Sequence, residues 1–148
     1  MPDGRATEQN LAINTDNDAC ELPLYNEKKN SIHEKSGLNW GQRKGRDGNQ
    51  AYIPIPQKIV KRKFFPEKAH HFTVTTDDGH YFVMTVAQDG DKALHTPQNN
   101  SLIGEYFRNR LGVLDKAKVE LADLERYGRK YVKFTKLDED DYFMDFSI

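Results

Sequence analysis

His71 to Gln88 reads HFTVTTDDGHYFVMTVAQ, and this stretch decides the fold. Two β-prone runs, His71–Thr76 and His80–Gln88, flank Asp77-Asp78-Gly79. That tripeptide predicts a tight hairpin turn in which glycine supplies the positive φ. Upstream, Gln50–Ile55 (QAYIPI) is also β-prone, and its proline marks a sheet edge or a strand end. Pro56 suits the first position of a short helix whose inner side carries Ile59, Val60 and Phe64. Downstream, the polar stretch Asp89–Asn99 holds a short strand at Ala93–His95. Asn100 or Ser101 then caps a helix with Leu102, Ile103, Tyr106, Phe107 and Leu111 on one face and Gly112 at its end. Lys118–Leu121, Lys130–Thr135 and Tyr142–Phe146 read as three further strands. The expected architecture is mainly β with two short helices, closed or partly closed into a barrel.

The chain has 148 residues, enough for one domain with a real core and too few for two of ordinary size. Its mean hydropathy of −0.85 is low, and the polar excess is concentrated at the start. Residues 1–35 are acidic and show no sustained apolar period. Residues 1–21 are therefore expected to be a flexible linker or arm, and 22–148 the domain, with Leu22–Tyr25 docking on it. A secretory signal needs a basic start and an apolar run, and a membrane span needs roughly 20 apolar residues. Neither pattern occurs in the sequence. Cys20 is the single cysteine, which excludes an internal disulfide framework and fits a reducing cytoplasm.

Catalytic constellations find no footing. A phospholipase-D-type nuclease needs His-x-Lys followed shortly by an aspartate; His33-Glu34-Lys35 supplies the first part, but Trp40 stands where the acid belongs. A carboxylate-and-lysine metal nuclease needs its acids on a strand, and Glu27-Lys28-Lys29 lies outside any β pattern. His70, His71 and His80 converge across the expected hairpin without a cysteine or spaced carboxylate, so ordinary hydrogen bonding is the reading for them rather than a metal site. The run Asp138–Asp141 reads as a solvated turn. No cofactor, metal or small-molecule substrate is expected.

What remains is binding. Between Gly41 and His71 eight basic residues oppose only Asp47 and Glu67, in a chain whose formal net charge is −1. Such a local excess beside a loop rich in Gly, Gln and Asn suits a surface that tracks phosphates and reads base edges. Gln42, Arg43, Lys44, Arg46, Asp47, Asn49 and Gln50 occupy this loop, and Gly41, Gly45 and Gly48 let it lie close to a groove. Arg and Lys can reach guanine O6 and N7, while Asn or Gln can hold adenine N6 and N7. A second polar loop offers Gln88, Asp89, Asp91, Lys92, His95, Thr96 and Asn99, whose acids can accept from cytosine N4. Lys58, Lys61, Arg62 and Lys63, on or beside the short helix, are the expected phosphate contacts. Trp40 and Tyr52 are expected to pack beside the first loop, and Arg108 and Arg110 to lie on a solvated helix face. The alternatives for these features are solvated surface loops, or a protein-interaction surface for an acidic partner.

Four segments, SGLNWGQR (36–43), AYIPIP (51–56), LERYGR (124–129) and YFMDFS (142–147), together resemble one family across residues 22–148. It is the C-terminal DNA-recognition domain of Ngo-type (NgoFVII-like) restriction endonucleases, similar to the "B-three" DNA-binding pseudobarrel of plant transcription factors. The resemblance implies a seven-stranded open pseudobarrel that grips the DNA major groove with two arms. By position the N-arm is Gln42–Gln50 and the C-arm is Gln88–Asn99. It further implies a bacterial, cytoplasmic, nucleoid-associated protein, double-stranded DNA as partner, and a nuclease domain supplied elsewhere in the parent enzyme, with no catalysis in this chain. A stand-alone bacterial regulator of the same fold is the other reading.

Overall fold

The computed structural model describes residues 18–148. Seven strands form one sheet: β1 (Ala19–Pro23), β2 (Ile53–Pro54), β3 (Phe72–Thr76), β4 (Tyr81–Ala87), β5 (Ala93–His95), β6 (Tyr131–Lys136) and β7 (Asp141–Asp145). Their order is β1-β6-β7-β3-β4-β5-β2, antiparallel throughout except for the β3–β7 pair. The terminal strands β1 and β2 approach each other, so the sheet curls into a nearly closed barrel.

The hairpin quoted above forms as its sequence dictates. Phe72, Val74 and Thr76 alternate inward against Phe82, Met84 and Val86, and Gly79 turns the chain at φ +85°. Beneath them lies a single core in which Phe72, Phe107, Phe134, Tyr142 and Phe146 are almost fully buried. Helix α1 (Gln57–Arg62) presents Ile59 to this core and ends at Lys63 in the left-handed region. Helix α2 (Ser101–Leu111) covers one end of the barrel with Ile103, Tyr106, Phe107 and Leu111, while Leu102, expected on that face, is exposed. No helix among the described residues is long and apolar enough to cross a membrane.

Two expectations need correcting. The strand expected at Lys118–Leu121 is extended chain that runs into a third helix, α3 (Leu121–Tyr127). Glu120 and Asp123 each cap the other's backbone there, and Leu121, Leu124 and Tyr127 follow helical rather than alternating spacing. The sheet also begins before residue 22: Ala19–Pro23 pairs with Tyr131–Thr135 along the whole of β1. Cys20 and Leu22 are buried there, so residues 19–21 belong to the barrel; the rest of the expected arm, residues 1–17, lies outside the described residues. Gly37–Gln42 forms a 3-10 turn that leads into the basic loop.

Strand directions fix where the polar segments emerge. The β1–β2 connection, which contains the Gln42–Gln50 loop, leaves the barrel at the end covered by α2. The β4–β5 connection, Gln88–Lys92, leaves at the opposite end, together with α1. Between them runs the β2–β5 ladder, in which Ile53 faces Leu94 and Pro54 faces Ala93.

Candidate nucleic-acid interface

The first loop is held rigidly from behind. Gly41 N–H donates to the Gln50 carbonyl at 2.7 Å, closing the loop at its base. A Cβ on Gly41 would lie 2.1 Å from the Asp47 oxygen, and one on Gly48 would lie 2.7 Å from Lys116. Those two glycines thus allow close packing, and only Gly45, with φ +85° and open space around it, serves the exposed tip. Gln42 Nε2 donates to the Gly48 and Lys116 carbonyls at 3.0 Å each. Asn49 is buried: its Nδ2 donates to Asp115 Oδ1 at 2.5 Å and its Oδ1 accepts from Lys116 N–H at 2.8 Å. The Asp47 carboxyl sits below its ordinary pKa because it accepts the Asn49 N–H, with Lys116 adding attraction.

Two of the residues expected to read bases therefore do other work. Asn49 has both ends of its amide committed inside the protein, and Gln42 staples the loop to residue 116. The exposed side chains are Arg43, whose Nε also donates to the Lys35 carbonyl at 2.9 Å, then Lys44, Arg46 and Asp47. Arg46 lies over Trp40, its guanidinium carbon 4.0 Å from the ring centroid, and its Nη1 donates to Gln50 Oε1 at 2.9 Å. Trp40 in turn packs edge-on against Tyr52 at 5.7 Å, beside the loop as expected.

The second loop divides in two, because β5 runs through it. Gln88–Lys92 is a tight excursion in which Gln88, Gly90 and Asp91 all have positive φ. Two of these are not glycine, so the backbone is held in a costly shape, a feature that gathers at functional sites. Its base is tied to β2 by the Ile55 N–H to Lys92 carbonyl bond at 2.8 Å, and Asp91 faces Lys68 at 3.8 Å. His95, Thr96 and Asn99 sit instead at the other end of β5, beside the first loop. There the Ala51 N–H donates to the Asn100 carbonyl. Thr96 is buried and donates to the Asn99 carbonyl at 2.6 Å; the Asn99 side chain accepts the Ser101 N–H at the start of α2. His95 is half-buried, and burial pulls its pKa down, with a bond to Asn100 opposing and the nearby His71 reinforcing the shift. Thr96 is thus a structural residue, and of this second group Asn99 remains exposed.

A shallow groove lies between β2, α1 and the second loop. Tyr52, Pro54 and Ile55 line it from β2 and its flanks, Gln57 from α1, and Gln88 and Lys92 from the second loop. Lys58, Lys61 and Lys63 are exposed along α1. Arg62, expected with them, reaches back to the β1 carbonyl of Ala19 at 3.2 Å and lies 5.5 Å over Phe64. The histidines separate: His70 bonds Asp140 at 2.7 Å, and His80 lies 3.4 Å from Asp78.

Two arginines assigned to a solvated face turn out to hold the scaffold. Arg108 is buried, and its guanidinium donates to the carbonyls of Ala117 (2.7 Å), Gly104 (3.2 Å) and Leu38 (3.1 Å). Burial lowers its pKa, with Asp115 and Asp47 acting against that fall. It ties α2 to both segments that brace the first loop. Arg110 pairs with Asp77 at 2.8 Å and with the Tyr106 hydroxyl at 2.8 Å. Gly104, one helical turn earlier, accepts from Arg108 through its carbonyl and, lacking a Cβ, lets α2 lie directly against residues 49–51.

Compared with known families, residues 14–138 match the model of the NgoFVII C-terminal B3-like DNA-binding domain. A search of curated proteins finds no match.

Proposed function

We propose, because the chain belongs to the family of NgoFVII C-terminal B3-like DNA-binding domains, that it is the sequence-specific DNA-recognition domain of a type II restriction endonuclease. Its partner is double-stranded DNA, gripped in the major groove by two arms. Cleavage belongs to a nuclease domain elsewhere in the parent protein. A bacterial, cytoplasmic setting beside the nucleoid follows from that partner.

The observation that supports this reading is that two polar loops leave opposite ends of the β2–β5 ladder, with a shallow groove beside the second. β5 contributes three residues to that ladder. At about 3.3 Å per residue the arms are rooted about 10 Å apart, comparable to the ~12 Å width of the major groove. The N-arm offers Arg43, Lys44, Arg46 and Gln50, and the C-arm offers Gln88, Asp89, Asp91 and Lys92. Lys58, Lys61 and Lys63 lie beside the C-arm end, where point charges suit phosphate oxygens.

The test is gel-shift binding of random duplex at two salt concentrations, followed by site selection and by incubation of duplex with magnesium. Salt-sensitive binding, a selected consensus and intact DNA are expected. A salt-insensitive chain that ignores duplex would favour an acidic protein partner, and metal-dependent cutting by the purified chain would overturn the division of labour.

A further inference from the structure

Resting on the DNA-recognition reading, the geometry points to Arg46 as a preformed guanine reader, with Trp40 and Gln50 as its positioning residues. An arginine at the tip of an exposed loop ordinarily samples many rotamers, and binding must freeze them. Arg46 is already restrained on two sides. Its guanidinium rests 4.0 Å over the Trp40 ring, and one Nη1 proton goes to Gln50 Oε1 at 2.9 Å. Both partners are fixed in turn. Trp40 stands edge-on to Tyr52, and the Gln50 backbone is bonded on both sides, to Gly41 and to Asp47.

The bond to Gln50 also decides which base this cluster can read. A free glutamine offers one acceptor and one donor, the pair that matches adenine N7 and N6. Here the Gln50 oxygen is turned toward Arg46 and one of its two lone pairs is taken, so its outward chemistry is dominated by the Nε2 donors. Arg46 has no acceptor and keeps four of its five N–H donors. The composite edge is therefore dominated by donors. Guanine, with O6 and N7 both accepting, satisfies such an edge; adenine N6 and cytosine N4 would each set a donor against a donor. Gln50, which by residue type alone is an adenine reader, becomes the group that orients a guanine reader.

The experiment is site selection from a randomised duplex pool with the full chain and the variants Arg46→Lys, Gln50→Met, Trp40→Phe and Trp40→Leu. Thermal melting confirms that each variant is folded. The wild type should select a consensus with at least one guanine position that depends on Arg46. Arg46→Lys keeps the charge and loses the fork, so preference at that position should fall roughly tenfold or more while affinity for random duplex stays nearly constant. Gln50→Met and Trp40→Leu should weaken the same position, and Trp40→Phe should retain most of it. Two results would overturn the assignment. In one, every guanine preference survives Arg46→Lys; in the other, Arg46→Lys lowers specific and random binding by one common factor, the mark of a phosphate contact. Failure of the wild type to bind any duplex would instead remove the DNA-recognition reading, and this inference with it.

Discussion

Replacing Asn49 separates a holding residue from a reading one. Asn49→Ala removes a hydrogen bond to the Asp115 carboxylate and another from the Lys116 N–H, at 2.5 and 2.8 Å. A bond to a charged partner is worth about 1.5–3 kcal/mol and a neutral one about 0.5–1.5, so the expected loss is about 2–4 kcal/mol. For a domain of this size each kcal/mol moves the melting temperature by about 3–5 °C, which gives a fall of roughly 10 °C. Asn49→Asp should be no better at neutral pH, since it sets a second carboxylate against Asp115, and part of its loss should return on acidification as the pair takes up a proton. Thermal melts at pH 7 and pH 4.5 give the stability terms. Competition titrations well below the melting temperature give the ratio of selected-site to random affinity, which should change less than about twofold, against the 1–3 kcal/mol of a lost base contact. An unchanged melting temperature with lost preference at one base pair would refute the structural role assigned to this amide.

Other perturbations test the bracing, the charge and the acid sensitivity. Gly104→Ala adds a Cβ that would lie 1.8 Å from the Asn49 oxygen and 3.0 Å from Ala51 Cβ. The ~1 kcal/mol gained in helix propensity should be outweighed, with a net loss of about 2 kcal/mol and faster amide exchange at residues 49–51. Log affinity for duplex should fall with log salt at a slope of roughly −4 to −6 for five or six phosphates, and Lys61→Ala should make it shallower by about one while weakening all sequences alike. Burial alone would raise the Asp77 pKa, but the Arg110 and Phe146 hydrogen bonds reverse this and hold it below the ordinary value. Its folded pKa is thus depressed, so its contribution is complete above the unfolded value of about 3.9 and is lost as pH falls through the folded one. Asp77→Asn should lower the melting temperature at pH 7 and narrow its gap to wild type towards pH 2.

What could be read without the structure was local. The β3–β4 hairpin, α1 and α2 announce themselves through turn residues and apolar spacing within a dozen positions. β1 could not be read, since ACELP is short and polar-flanked and gains its strand character only from β6, more than a hundred residues away. The same distance problem hides Asn49 and Arg108, while Thr96 is spent on a carbonyl three residues on, at the entry to α2. Their types suit a nucleic-acid surface, and only the return of residues 115–117 behind the loop shows that the hydrogen-bonding groups of Asn49 and Arg108 are spent. The strand at Ala93–His95 was legible too, but not that it carries the chain from one end of the barrel to the other, so that residues 88–92 and 95–99 lie apart. The basic loop itself was legible because charge and glycine spacing are compositional, even though Gly41 and Gly48 turned out to serve packing.

The bracing of the first loop carries an evolutionary consequence. Everything that fixes its shape lies at its base, in Gly41, Gln42, Gly48, Asn49 and the 115–119 return. The tip, Arg43 to Arg46, projects side chains that touch little of the barrel. Substitutions of Arg43, Lys44 and Arg46, though not of Gly45 with its φ of +85°, are therefore nearly neutral for folding, and a lineage carrying this domain can drift through new target preferences without passing through unstable intermediates.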